Sequence, residues 1–307
     1  MSEAGIAASG VTRAFGSTQV LKGASLSVAP GEIMALVGPN GSGKTTLMLT
    51  LATLLRPDSG SVRIAGHDTV TATRSARAAL GWMPDTLGVW SGLTVRETLN
   101  TTCALYGITG SSSTARVAEL LAEVGLETLA DQRSHTLSRG QKQRLSLARS
   151  LVHRPSVLLL DEPASGLDPE ARLAQRTSLA RLAAEGTAIL ITSHVLDELE
   201  HLASSVVFLR DGTTIADGIA PVSSEQAVWR IRSIDPARLA GALAELGIPS
   251  ATHTGLTGEA QLVELADETA VAALLSGLVS RGVPVVEYAP ATGSLERAFT
   301  RVTGGHA

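Results

Sequence analysis

The chain has 307 residues, a formal net charge of −4 and one cysteine, Cys103. This length predicts one large domain with a smaller one, the charge gives no basic footprint for nucleic acid, and a lone cysteine forms no intrachain disulfide. No apolar run approaches the about 18 residues of a membrane span, and the N-terminus lacks a basic stretch followed by an apolar one, so the expectation is a cytoplasmic protein.

Taken in chain order, residues 10–37 alternate short apolar stretches with Gly and Pro punctuation, which predicts short antiparallel strands and turns. Within them, residues 33–37 are apolar enough for a buried strand. Next comes Gly38-Pro39-Asn40-Gly41-Ser42-Gly43-Lys44-Thr45, a G-x-x-x-x-G-K-T run, with Thr46 beside it. Its glycines let successive backbone N–H groups point at phosphate oxygens, and a helix predicted over 45–55 adds its positive end. Lys44 would bridge the terminal phosphates, and the Thr45 hydroxyl would serve Mg²⁺. A Gly-rich turn before a helix is ordinary structure when alone; between this strand and this helix it reads as a nucleotide site. Residues 57–60 end the helix and 61–65 read as strand. Residues 94–154 carry helical spacing, with 111–113, three serines, as a connector between helices. Apolar runs at 157–160, 188–192 and 206–209 return to strand, which makes the core α/β with a mostly parallel sheet.

The run at 157–160 ends in Asp161-Glu162. Two acids there are either a solvated strand end or, at the edge where α/β ligand sites lie, chemistry. Asp161 suits the Mg²⁺ shell, and Glu162 suits a water poised for attack on a γ-phosphate. Around 217–226 the composition turns to Gly, Pro and Ser, which marks a boundary. Beyond it the order is strand 227–231, helix 236–246, strands 249–253 and 261–265, helix 269–279, strand 283–288 and a last helix 294–302. That βαββαβ order predicts a ferredoxin-like module.

Leu137-Ser138-Arg139-Gly140-Gln141 precedes the acids and opens a basic helical run. With the phosphate loop and the strand-end acids in this order, residues 6–220 resemble the ATP-binding cassette (ABC) ATPases, whose signature is LSGGQ. The resemblance implies a P-loop NTPase fold of ABC type over 1–220, with an antiparallel β subdomain, a helical insert at about 86–154, and a small α+β accessory domain over 221–307. It implies ATP and Mg²⁺ as cofactors and a head-to-tail dimer, in which Ser138, Gly140 and Gln141 cap the γ-phosphate of ATP held by the second copy. Phe15 matches the aromatic that stacks on adenine, Asp168 in Ala164-Ser165-Gly166-Leu167-Asp168 the loop joining the two sites, and His194 the histidine at the γ-phosphate.

Two positions depart from the family pattern. Asp85 stands where Gln is usual; as a metal ligand it is shorter and adds negative charge near Glu162. Arg139 replaces the first Gly of the signature and either brings positive charge near the phosphates or points to solvent. Both departures, and the C-terminal extension with Leu295 and Phe299 on one helical face, look like the ATPase subunits of type-2 ABC exporters, a branch that includes drug-resistance pumps. An ATP-hydrolysing motor of this kind requires an integral membrane permease, expected to meet residues 86–98 with Leu87 and Trp90 exposed, unless those two side chains are instead core of the insert, and would lie in the cytoplasm at the inner face of the membrane. The alternative is a soluble ABC protein of translation, repair or regulation.

Overall fold

A long hairpin opens the chain, made of β1 (Ile6–Phe15) and β2 (Thr18–Val28). The computed structural model describes residues 4–215, 227–255 and 258–290, and the chain divides into two units, Met1–Pro221 and Val222–Ala307. The hairpin is longer than the sequence punctuation predicts. Gly10 takes a left-handed φ of 58° where the register shifts between Ala8 and Val11, so the strand passes through its break instead of ending there.

All five residues of β3 (Ile33–Val37) are buried, as a strand covered on both faces requires. It leads through the loop into α1 (Lys44–Leu51), which stops four residues before the predicted end. There Thr53 turns left-handed, and the amides of Leu54 and Leu55 both donate to the Leu49 carbonyl. Strands β4 (Ser59–Ile64) and β5 (His67–Asp68) complete an antiparallel sheet in the order β2-β1-β4-β5. A short α2 (Thr73–Ala79) then feeds β6 (Leu80–Met83), two elements whose brevity leaves no periodicity to read.

Three helices form the insert: α3 (Val95–Leu105), α4 (Gly110–Glu123) and α5 (Arg139–Leu151). The three serines expected to connect helices instead form the first turn of α4, where the buried Ser113 hydroxyl donates to Asn100 Oδ1 at 2.8 Å. The chain returns to the core with β7 (Val157–Asp161), α6 (Pro169–Ala184), β8 (Ala188–Thr192), α7 (Leu196–Glu200), β9 (Ser205–Arg210) and β10 (Thr213–Ile215). The second sheet has the order β10-β9-β3-β8-β7-β6, parallel throughout except for β10. Ile6, Leu26, Ile64, Leu36, Leu47, Leu51, Leu159 and Leu190 belong to one buried cluster that joins the two sheets through α1. Each such side chain contributes about 1.5–3 kcal/mol on burial, which fixes the loop before α1 against the sheet.

In the second unit, β11 (Ala227–Ser233), α8 (Pro236–Glu245), β12 (Ser250–Gly255), β13 (Gly258–Leu265), α9 (Glu268–Ser280) and β14 (Val285–Pro290) follow the βαββαβ order. The sheet is antiparallel in the order β12-β13-β11-β14, the ferredoxin-like arrangement, over a core that includes Ile231, Leu239, Leu243, Val263, Leu274 and Leu278. The predicted last helix with Leu295 and Phe299, and the Gly/Pro/Ser-rich stretch at 217–226, lie outside the described residues.

Candidate active site

Because β3, β8, β7 and β6 are adjacent and parallel, whatever follows each of them emerges at one edge of the sheet. That edge collects the loop at 38–43 after β3, Ser193 and His194 after β8, Glu162 after β7 and Asp85 after β6.

The loop closes on itself through Ser42 N donating to Pro39 O at 3.2 Å, and Gly212 N donates to Ser42 O at 3.1 Å from the turn between β9 and β10. Gly38 has no room for a side chain, since a Cβ would stand 2.2 Å from the Leu209 carbonyl oxygen. Gly43 caps α1 at a φ of 103°, a conformation that glycine adopts without a Cβ penalty. The Ser42 hydroxyl is buried with no hydrogen-bond partner in the protein. An orphaned buried donor of this kind costs about 1–3 kcal/mol, and it lies in a loop that opens a helix, as an anion site requires. The Lys44 ammonium donates to the carbonyls of Gly38 at 2.6 Å and Pro39 at 3.1 Å. Burial pushes its pKa down, and the charges of Glu162 and Asp161 oppose that shift. Thr45 is exposed on the first turn of α1, and Thr46 lends its carbonyl to the Thr50 hydroxyl.

Asp161 is buried and pairs in register with Thr192, whose hydroxyl donates to Asp161 Oδ1 at 2.6 Å. Burial raises the Asp161 pKa, the Thr192 bond lowers it, Asp85 raises it and Lys44 lowers it. Glu162 takes a left-handed φ of 53°, a conformation that costs a non-glycine residue about 1–3 kcal/mol. Three bonds hold it there: its N–H donates to Thr192 O at 3.2 Å and Thr192 Oγ1 at 3.1 Å, and Gln143 Nε2 donates to its carbonyl at 2.7 Å. Its carboxylate Oε2 meets His194 Nδ1 at 2.6 Å and accepts the His194 backbone N–H at 3.3 Å. The imidazole itself is 71% exposed. Lys44, Asp161, Glu162, His194 and Asp85 are therefore brought together, Asp85 on an exposed bend and acting on Asp161 through its charge. Sequence reasoning did not single out Thr192 or Gln143. Their importance comes from cross-strand register and from a contact 19 residues away in sequence.

The residues predicted to serve a second copy lie apart from the loop, at the start of α5 and α6. Ser138 caps α5 by accepting the Gln141 N–H at 3.2 Å, while Gln141 Oε1 accepts the Ser138 N–H at 2.8 Å, a capping box. Asp168 caps α6 by accepting the Ala171 N–H at 2.8 Å. Arg139 reaches its own chain, donating from Nη2 to Ser165 Oγ at 2.9 Å, so its guanidinium is anchored and does not simply point to solvent. Gly140 packs on the same loop, where an added Cβ would stand 3.0 Å from Gly166 O. Phe15, half-exposed at the tip of the first hairpin, has the Arg13 guanidinium 5.0 Å from its ring centroid. Along β2, Val20 and Leu21 wall Gly43, which sets the hairpin beside the loop. On the insert side Trp90 is exposed and covers the Arg149 guanidinium at 4.9 Å, whereas Leu87, expected to be exposed, is half-buried.

Comparison with known proteins gives the same architecture. The ABC transporter family profile matches residues 21–165. The Nod factor export ATP-binding protein I of Burkholderia orbicola (strain AU 1054) is 37% identical over 308 residues, covering 99% of this chain and 98% of the relative. The protein of the same description from Rhizobium meliloti (strain 1021) is 33% identical over 96% of this chain and 86% of its own. Among solved structures, an ATP-binding subunit of an ABC transporter superposes with a TM-score of 0.65 at 28% identity, over 69% of this chain and 88% of that one. A dimeric ATP-binding cassette in a post-hydrolysis state bound to ADP and Pi gives 0.63 at 25% identity, over 68% of this chain and 95% of its own.

Proposed function

This chain belongs to the ATP-binding subunits of the ABC transporters, and on that premise we propose that it binds MgATP at the edge shared by β3, β8, β7 and β6 and hydrolyses it to drive export through a separate membrane permease. The observation that carries the reading is the convergence of Lys44, Asp161, Glu162 and His194 there, with the Ser42 hydroxyl still in need of a partner. The full-length likeness to Nod factor export proteins favours export over a role in translation or repair.

Residues 38–45 cradle the phosphates through loop N–H groups, the Ser42 hydroxyl and the α1 N-terminus, and Lys44 turns its ammonium from the loop carbonyls to the terminal phosphates. The Thr45 hydroxyl and the Asp161 carboxylate are hard oxygen donors that suit Mg²⁺, with Asp85 able to add a third; once bound, the ion offsets charge on the phosphates. Glu162 accepts a hydrogen bond from water and takes its proton as the water oxygen bonds the γ-phosphorus and the bridging oxygen leaves with ADP. His194 fixes the Glu162 carboxylate through Nδ1. Phe15 stacks on the adenine, braced from behind by Arg13.

Ser138, Gly140, Gln141 and Asp168 complete the site of a second copy, which makes the working unit a head-to-tail dimer. Among the described residues no helix is long and apolar enough to cross a membrane. The permease is met by residues 86–98, where Trp90 is presented on Arg149, and the chain works at the inner face of the membrane. Residues 222–307 form an accessory module outside the chemistry. Co-expression with a candidate ABC permease should yield one complex that survives purification in detergent and, once reconstituted into sealed vesicles, shows ATP-driven export that stops on Lys44→Ala. Export that continues unchanged without this chain would contradict the reading.

A further inference from the structure

Arg139 begins α5 of the helical insert, with Ser138 as its cap, while Ser165 and Gly166 sit in the loop that runs from Glu162 to the Asp168 cap of α6. The contact between them joins the insert to the core. Two kinds of side chain hold this loop. From α6, Gln175 Nε2 donates to Pro163 O at 3.1 Å and Arg172 Nε to Leu167 O at 3.0 Å. From α5, Gln143 Nε2 donates to Glu162 O and, one turn earlier, Arg139 Nη2 donates to Ser165 Oγ at 2.9 Å. The arginine stem also lies flat on the loop: a Cβ on Gly166 would meet Arg139 Cδ at 2.8 Å and Cγ at 3.0 Å. Gly166, at a φ of 77°, supplies both the turn and the space.

We propose that Arg139 is a positioning residue that latches the signature turn to residues 164–168 of its own chain, setting the insert at its docking position before a second copy arrives. The inference rests on the reading that residues 138–141 meet ATP held by that second copy. A glycine at position 139 could make no such bond, which would leave Gln143 as the α5 side chain named above that holds the loop, and more of the ordering of residues 138–141 would fall to closure. Arg139 removes part of that ordering from the binding step. Its planar fork and its stem act together, which a lysine would reproduce only through the charge.

The test compares Arg139→Ala, Ser165→Ala and the double variant, in full-length protein, for the KM and kcat of ATP hydrolysis. In a Glu162→Gln background, the same changes are read as the MgATP concentration needed for dimerisation. The latch predicts that each single change raises KM and that concentration by about three- to tenfold, the span of one side-chain hydrogen bond. It predicts further that kcat holds, that the double variant is no worse than either single, and that Arg139→Lys recovers only part. Melting without nucleotide checks that each variant folds. If Arg139→Ala weakens dimerisation while Ser165→Ala behaves as wild type, Arg139 contacts phosphate and the latch is wrong. If neither changes anything while the parent dimerises, the latch alone is wrong. A parent that never dimerises with MgATP overturns the reading beneath it as well.

Discussion

At the edge of the parallel sheet, Lys44, Asp161, Glu162 and His194 hold one another through charge and hydrogen bonds, whereas residues 138–141 turn their polar groups back on the cap of α5 and on Ser165. The first group contains unmet demand: a buried hydroxyl at Ser42 and a buried carboxylate at Asp161 whose pKa is raised by its burial. The second group is held in position, with Ser138 and Arg139 exposed, Gly140 and Gln141 half-buried, and the polar groups of Ser138 and Gln141 already paired in the capping box. On the proposed reading, the first region takes up the nucleotide and acts on it, and the second is presented to a second copy.

The largest effect should come from the first region. Glu162→Gln keeps the shape of the side chain and removes the base, so phosphate release should fall by about 10²–10⁴-fold while a fluorescent nucleotide still binds. Hydrolysis at the wild-type rate would exclude Glu162 from the chemistry. Next, Lys44→Ala should weaken ATP binding to a single copy by about 10–100-fold, the worth of a charge-assisted bond. Ser138→Ala should leave that affinity alone and cost about 1 kcal/mol through the lost cap of α5. Calorimetry on the pair separates the two regions, and equal loss of affinity in both variants would erase the distinction.

The smallest effect concerns stability without ligand. Asp161 has a folded-state pKa above its ordinary value of 3.8, chiefly because of burial, so the folded chain holds this proton more tightly than the unfolded one. Its contribution to stability is therefore lost as pH rises through that window, and the penalty is complete at neutral pH. Asp161→Asn should raise the melting temperature at about pH 7, where the burial penalty on the carboxylate is complete, and the gain should shrink towards about pH 4. A less stable variant at neutral pH would mean that attraction to Lys44 outweighs burial.

What could be read in advance follows from how local each feature is. The loop at 38–45, the all-buried β3 and the acids ending β7 each depend on residue type and immediate neighbours, and so did the alternation that gave the second unit its βαββαβ order. Helix α6 was harder to see because it buries only Gln175, Leu179 and Ala183 along 16 residues, which leaves hardly any apolar stripe. Strand β6 has four residues and no period. Thr192 acquires its place from lying opposite Asp161 across two strands, and Arg139 from Ser165, 26 residues on. Such pairings are set by packing, so the nature of Arg139 alone left open both of the roles expected for it.

The account stands most directly on the mass of Glu162→Gln protein in solution, measured by light scattering with and without MgATP. It predicts that saturating MgATP shifts the chain to twice its mass with one ATP per copy, and that adding Ser138→Ala weakens this shift while ATP still binds. A protein that binds one ATP per chain and stays at the mass of a single copy at every nucleotide concentration would contradict it.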